Sequence, residues 1–378
     1  MYNQALQFRK QTWEEEKRSV SASELYKYIS SLRQTDEFAW FSELPSASIG
    51  HELRSLDEAF KNFFRRLKEA KPGEPAGYPK FKAKHHSELR MKFHQKYSLD
   101  QEAGLVVGVP KIGSIKVRFH RLFEGNPKTA TIKLSRSGKF FITITSDVDE
   151  AKPAVEEKPS FYAIDHGVRN FIVGQDGLVI SSLAPKIRKL ERLHSKRQRA
   201  LRKKTVGSAN YQKARRQLAR IKERERNMRT NFLWNVAHQL TDHVLMADFS
   251  GIILAKYDLQ AMTKKKKAEA DDAHPAHFLP NGRNLQKKFN KALLRMSLGQ
   301  FTVILKEVCE RKGILLEFVK PDHTTSACSH CSTVNAIDRS KNYWECVHCG
   351  SVNHRDMNSV KNRKNVFEGD FDPVVKEK

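Results

Sequence analysis

A chain of 378 residues with 69 Lys+Arg against 43 Asp+Glu carries a formal net charge of +26 and a pI near 9.8. That length allows two or three domains, each with its own core, and that field favours polyanionic partners, nucleic acid above all. No run reaches the ~18 consecutive apolar residues of a membrane span, and Met1-Tyr2-Asn3-Gln4 lacks the charged-then-apolar opening of a signal peptide. This excludes a membrane partner and implies a reducing interior.

In chain order, residues 4–34 and 47–70 read as helices. The second is opened by Ser46 or Ser48 and carries Leu53, Leu56, Phe60, Phe63, Phe64 and Leu67 on one side. Lys71-Pro72-Gly73-Glu74-Pro75 then breaks the chain. Between Lys61 and His86, Phe63, Phe64, Tyr78 and Phe81 are mixed with Lys61, Arg65, Arg66, Lys80 and Lys82. Rings among cations can stack on bases while the cations hold phosphates, although Phe63 and Phe64 suit a core equally well. From 88 to 147 the apolar period falls to two, with turn signals at Pro110, Gly113, Gly125-Asn126-Pro127 and Ser137-Gly138, which predicts a small antiparallel barrel. Acidic, apolar-poor Pro153–Pro159 reads as a linker.

An α/β unit follows. Ser160–Asp165 reads as a buried strand ending in an acid, and Phe171–Ile180 as a hairpin turning at Gln175-Asp176-Gly177. From Lys186 to Arg229 eighteen Lys/Arg face three Glu over 44 residues, with a thin apolar stripe of Leu190, Leu193, Leu201, Leu218 and Ile221. This fits two basic helices joined near Val206-Gly207-Ser208. Like charges this dense repel unless phosphates offset them, so Lys196, Arg197, Arg199, Arg202, Arg215 and Arg216 are candidate nucleic-acid contacts, with Lys61, Arg65, Arg66, Lys80 and Lys82. Ser250–Leu259 reads as a second buried strand, Thr263–Leu293 as a loop too poor in apolar residues to pack, Met296–Lys312 as a helix holding Cys309 in its core, and Ile314–Val319 as a strand.

Near the end stand Cys328-Ser329-His330-Cys331, fourteen residues, and Cys346-Val347-His348-Cys349-Gly350. Two Cys-x2-Cys knuckles at this spacing supply four thiolates for a structural zinc, Zn2+, with no position left open for catalysis. Seven residues later, Asp356 opens the last helix as Arg355-Asp356-Met357-Asn358.

The order of these features resembles the TnpB family, transposon-encoded RNA-guided endonucleases related to type V CRISPR effectors. The resemblance rests on Leu56–Arg66, Gly77-Tyr78-Pro79-Lys80-Phe81-Lys82, Pro110-Lys111-Ile112-Gly113, Ile164-Asp165-His166-Gly167, Tyr257-Asp258-Leu259, Thr325-Ser326 before the first knuckle, and Arg355–Asn358. Family members usually carry a further segment, with a first barrel strand, ahead of the part matched here.

The resemblance implies a multidomain α/β protein. Residues 1–86 would be a helical recognition domain, 87–150 a wedge-type β-barrel, 151–159 a linker, 160–365 a RuvC-like domain of RNase H-like fold with the zinc ribbon inserted at 324–352, and 366–378 a tail. It also implies a guide RNA, a double-stranded DNA target beside a short protein-read motif, and a cytoplasmic setting at a bacterial nucleoid.

A RuvC site needs three carboxylates to hold two divalent ions. Asp165 matches the first and Asp356 the third, whereas the family's Glu-Asp-Leu is Tyr257-Asp258-Leu259 here, and His166 stands where the family is usually apolar. A neutral phenol cannot bridge hard cations. The expectation is therefore a nuclease-dead protein, not an enzyme, with Mg2+ at most weakly bound. It would repress transcription by RNA-guided occupancy of its target. The competing readings are an active endonuclease using a displaced Asp258, which strand alternation would point away from position 257, and a guide-independent nucleic-acid-binding transposition accessory protein.

Overall fold

The computed structural model describes residues 1–69, 76–83, 89–94, 97–120, 122, 124–148, 153, 158–264, 279, 283–338 and 341–374. The break expected at Lys71–Pro75, the boundary between 86 and 87, most of the linker, residues 265–267 of the lysine run that starts at Lys264, and the last four residues lie outside them. The chain forms two compact units, Met1–Glu150 and Ala151–Lys378.

The first unit opens with α1 (Tyr2–Glu16), α2 (Ala22–Leu32) and α3 (Ser46–Glu69), the last two joined by a 3-10 turn over Asp36–Glu43. The single helix expected over 4–34 is two helices. Lys17 turns left-handed at φ 52°, and Ser21 starts α2 with a capping box in which Glu24 answers its backbone N–H. Ala5, Leu6, Leu25, Ile29, Phe41, Ile49, Leu53 and Leu56 form the helical core. Ser48 does not cap α3, since its hydroxyl donates to the carbonyl of Lys92 at 2.8 Å.

Strands β1 (Leu89–His94), β2 (Ser98–Asp100), β3 (Leu105–Val109), β4 (Gly113–Lys116), β5 (Asn126–Leu134) and β6 (Phe140–Asp147) follow. They make two antiparallel three-stranded sheets, β1-β5-β6 and β2-β3-β4, and share a small core around Phe93, Val106, Val109 and Ala130. Among the described residues no ladder joins the two sheets into a closed barrel.

The second unit is built on a five-stranded mixed sheet. β8 (Asn170–Gly174) runs antiparallel to both of its neighbours, β7 (Phe161–His166) and β9 (Val179–Ser181). The basic helices α4 (Ala184–Arg202) and α5 (Ala209–Met246) intervene before β10 (Gly251–Ala255), which pairs parallel with β7. Then come α6 (Leu259–Thr263), α7 (Arg283–Met296), α8 (Leu298–Lys312) and β11 (Leu315–Val319), which pairs parallel with β10. The hairpin β12 (Tyr343–Glu345) and β13 (Val352–His354) leads into α9 (Arg355–Glu368). The sheet order is β11-β10-β7-β8-β9.

Alternation along the central strands makes the layers. Tyr162, Ile164, Ile252 and Leu254 join the core of α5 and α8, whereas Ala163, Ile253 and Val319 pack with Val360 of α9 on the other face. Tyr162 presses so close to Gly174 that a Cβ there would lie 2.0 Å from its hydroxyl, so β8 must carry glycine at this point.

One sequence expectation changes here. The loop predicted over Thr263–Leu293 gives way from Arg283 onward to α7, whose Leu293 and Met296 reach the core. The second basic helix runs on through Phe232 to Met246: α5 is one helix of 38 residues, about 57 Å long. Its second half packs through Leu233, Val236, Ala237, Leu240 and Val244, while its first half stands out with α4.

Candidate functional site

Asp165 is the last residue but one of β7 and Asp356 the second of α9, and the fold brings the two carboxylates into one cleft of about 1200 Å³, lined also by His166, Arg169, Arg188, Tyr257 and Arg355. Phe161, Ala163 and Asp165 alternate toward α9, so the acid at the strand end meets that helix. His354 caps α9 by accepting the backbone N–H of Met357 at 3.4 Å, and the helix N-terminus favours the negative charge of Asp356.

Each carboxylate already has a guanidinium. Arg363 Nη2 donates to Asp165 Oδ1 at 2.6 Å and to the Tyr257 hydroxyl at 2.7 Å, while its Nη1 donates to the Ile164 carbonyl at 2.6 Å. Arg363 is 1% exposed, one of the most deeply buried side chains in the unit. Arg355 donates to Asp356 Oδ1 from Nε at 3.1 Å and Nη2 at 3.0 Å, and Asn170 Nδ2 reaches Asp356 Oδ2 at 3.3 Å. Burial pushes the Asp165 carboxyl above its usual range, against the downward pull of Arg363 and with a further push from Asp356. Burial likewise raises the Tyr257 phenol, which stays neutral, and takes His166 down to about 3, so this imidazole is uncharged.

Tyr257 lies beyond the end of β10, so strand alternation does not govern its neighbour. Asp258 is instead the N-cap of α6, its Oδ1 accepting the backbone N–H groups of Gln260 at 3.0 Å and Ala261 at 2.9 Å. It does not line the cleft. Carboxylate oxygens suit a hard divalent cation and the phenol does not, so Asp165 and Asp356 fit one such ion and not a bridged pair.

The four cysteines meet in the ribbon. Their sulfurs lie within 4.8 Å of one another, with Cys328 and Cys349 3.7 Å apart and Cys331 and Cys346 3.6 Å apart. Tetrahedral zinc–sulfur bonds of about 2.3 Å place sulfurs about 3.8 Å apart, whereas a disulfide needs about 2 Å. The set is thus a possible zinc site. Asn335 and Asn353 each donate to a cysteine sulfur at 3.6 Å, Cys346 and Cys328 respectively. Cys309 is apart from them, in the core of α8.

The basic side chains Lys196, Arg197, Arg199, Arg202, Arg215 and Arg216 are all exposed on the α4–α5 hairpin, where Arg197 also donates to Gln217 at 3.2 Å. In the first unit Lys61, Arg65, Arg66 and Lys80 are exposed beside the exposed rings of Phe64, Tyr78 and Phe81. Lys82 is instead partly buried, 2.9 Å from Glu52 and 3.7 Å above the Tyr2 ring. Arg363 and Asn170 escaped the sequence reading. The signal for Arg363 was its position two turns after Asp356, on one stripe with buried Val360.

Two family profiles match: "OrfB_IS605: Probable transposase" over residues 142–257 and "Cas12f1-like, TNB domain" over 299–363. A Streptomyces pristinaespiralis protein named as an RNA-guided DNA endonuclease is 26% identical over 96% of this chain and 81% of its own length. Escherichia coli K12 InsQ, named likewise, is 26% identical over 96% of this chain and 84% of its own length. The chain is thus similar to the TnpB/IS605 transposase family. A solved Cas12f1–sgRNA–target DNA complex aligns over 96% of this chain and 91% of that one at 16% identity and a TM-score of 0.37, too low to equate the folds.

These relatives correct the expectation, drawn from Tyr257, that the chain is not an enzyme. Proteins named as endonucleases match it almost end to end and point to nuclease activity. Asp165 and Asp356 stand together in one cleft beside Tyr257. Among the described residues no helix is long and apolar enough to cross a membrane.

Proposed function

We propose that the chain is an RNA-guided DNA endonuclease of the TnpB/IS605 kind whose cleaving centre is the cleft between Asp165 and Asp356. The observation carrying this is the meeting of those two acids, from opposite ends of the second unit, beneath a rim that includes Arg169 and Arg188. In this reading residues 160–365 are a RuvC-like domain of RNase H-like fold, with the ribbon at 324–352, and residues 1–86 and 87–150 are recognition and wedge domains.

Asp165 and Asp356 would hold one Mg2+, which when bound supplies a Lewis acid for the phosphate and lowers the pKa of its water. The chain does the rest: exposed Arg188 offers its charge to the phosphodiester, and neutral His166 and Tyr257 wall the cleft without adding charge. The four cysteines would hold zinc, whose binding energy folds the ribbon. The α4–α5 hairpin would hold the guide RNA through Lys196, Arg197, Arg199, Arg202, Arg215 and Arg216. Lys61, Arg65, Arg66 and Lys80 would hold phosphates in the first unit. Sequence is then read by guide pairing on double-stranded DNA beside a short protein-read motif.

The test is purification with its nucleic acid, sequencing of the RNA, and incubation with a guide-matched duplex in Mg2+. Copurified RNA and cleavage abolished by Asp165→Ala and by Asp356→Ala are expected. A complex that binds the duplex and leaves both strands whole would overturn the endonuclease assignment, and protein free of RNA would overturn guidance.

A further inference from the structure

We propose that Arg363 is a resident cation at Asp165 that competes with a divalent ion for this carboxylate and so limits metal loading. The inference rests on the cleft being the cation-holding centre. Three observations carry it. The Arg363 guanidinium is forked onto three acceptors at once, the Ile164 carbonyl, the Asp165 carboxylate and the Tyr257 hydroxyl. It is 1% exposed, on a helix whose Val360 is locked in the core, so it has no solvent position to retreat to without moving α9. Finally, Arg355 pairs with Asp356, so the charges of both acids are offset by guanidinium groups of the chain itself.

Competition follows from electrostatics. A divalent ion at Asp165 must either approach the buried guanidinium, which repels it, or strip that guanidinium of its carboxylate and leave it unpaired in the protein. Tyr257 belongs to the same latch. Its hydroxyl accepts from the same Nη2 without adding the negative charge that would draw in a cation.

The test uses the full chain, zinc-loaded and freed of nucleic acid, titrated with Mn2+ and read by electron paramagnetic resonance. Arg363→Met, which keeps length and removes charge, should bind Mn2+ about tenfold tighter than the parent, and the gain should vanish when Asp165→Asn is added. Arg363→Met binding no tighter than the parent would overturn the proposal. So would tight Mn2+ binding by the parent chain that Asp165→Asn removes.

Should Arg363→Met not fold, Arg363→Gln decides. Its neutral amide can still donate to a carbonyl but carries no charge to repel a cation, so it should bind Mn2+ more tightly than the parent, and no gain would overturn the latch. The titration needs neither guide nor target, so variants that take up Mn2+ but never cut would sink the endonuclease reading and leave the latch intact.

Discussion

The side-chain carbonyl of Asn358 accepts the backbone N–H of Ser329 at 2.8 Å, and its amide donates to the Ala327 carbonyl at 2.8 Å, so one residue of α9 grips the chain on both sides of Cys328. Asn362, one turn on, donates to the carbonyls of Thr324 at 2.9 Å and Ala327 at 2.8 Å. Both asparagines are buried. The helix carrying Asp356 and Arg363 is thereby fastened to the first cysteine knuckle, which gives the Asp-x-Asn spacing a mechanical reason.

Asn358→Ala should therefore loosen the ribbon from α9 without touching a thiol. The half-buried Ser329 N–H then loses its acceptor, while Asn362 still holds the Thr324 and Ala327 carbonyls, a loss of about 0.5–1.5 kcal/mol. Urea unfolding should report a loss in that range while metal analysis finds the zinc content unchanged. An unaltered midpoint would show that the grip does not contribute to stability.

Zinc removal is readable by thiol counting. The chain has five cysteines, and burial pushes the Cys309 thiol up to about 12, so it should resist alkylation in the folded protein. The four ribbon cysteines should be protected while metal is bound and react together once a chelator removes it. Four thiols reactive in untreated protein, with no zinc by metal analysis, would refute the assignment.

The ribbon and the ends of β7 and α9 were legible in the sequence because each rests on short-range spacing: two cysteine pairs, an acid ending an apolar strand, an acid opening a helix. Arg363 was not, because its meaning is set by Asp165 and Tyr257, remote in sequence, and an arginine in a polar-looking terminal helix reads as solvated. Asp258 misled for a local reason. Apolar Gly251–Ala255 ends earlier than the pattern suggests, and the aspartate that follows is better used capping α6 than extending a strand. The helix α7 was hidden by its polar composition, since among its described side chains only Leu293 and Met296 are buried.

Charge in the α4–α5 hairpin governs RNA retention in the proposed reading. Reversing Arg197, Arg199, Arg215 and Arg216 to Glu should abolish copurifying RNA, and the parent complex should dissociate steeply as salt rises, since each neutralised phosphate releases counterions. All four side chains are exposed, so the fold should survive. Retention undiminished in the variant would move the RNA site elsewhere.

The same hairpin is anchored by an ion pair with a defined pH signature. Glu191 of α4 accepts from Arg295 of α7 at 3.0 and 2.6 Å, and these bonds hold its carboxyl below the ordinary 4.5. A carboxyl depressed on folding stabilises the protein above its unfolded value and loses that contribution as pH falls through the lowered one. Glu191→Gln should thus be less stable than the parent at neutral pH, and the gap should close as pH drops below 4.5. A gap constant from neutral to acid, measured by denaturant midpoints, would show that the pair contributes nothing through its charge.

Tyr257 offers the last test, on cleavage itself. With Arg363 on Asp165 and a phenol in place of the third acid, cutting of a guide-matched duplex in Mg2+ should be slow, and Tyr257→Glu should speed it by adding a hard oxygen donor where the hydroxyl now accepts from Arg363. The new carboxylate would also share the guanidinium and weaken its hold on Asp165, so Tyr257→Glu combined with Arg363→Met should cut faster than either alone. Asp165→Ala or Asp356→Ala in any of these backgrounds should abolish cutting while target binding, measured by mobility shift, stays close to that of the parent. Cutting that survives Asp165→Ala would place the active centre outside this cleft, and a double variant no faster than the parent would show that neither the phenol nor the arginine limits the reaction.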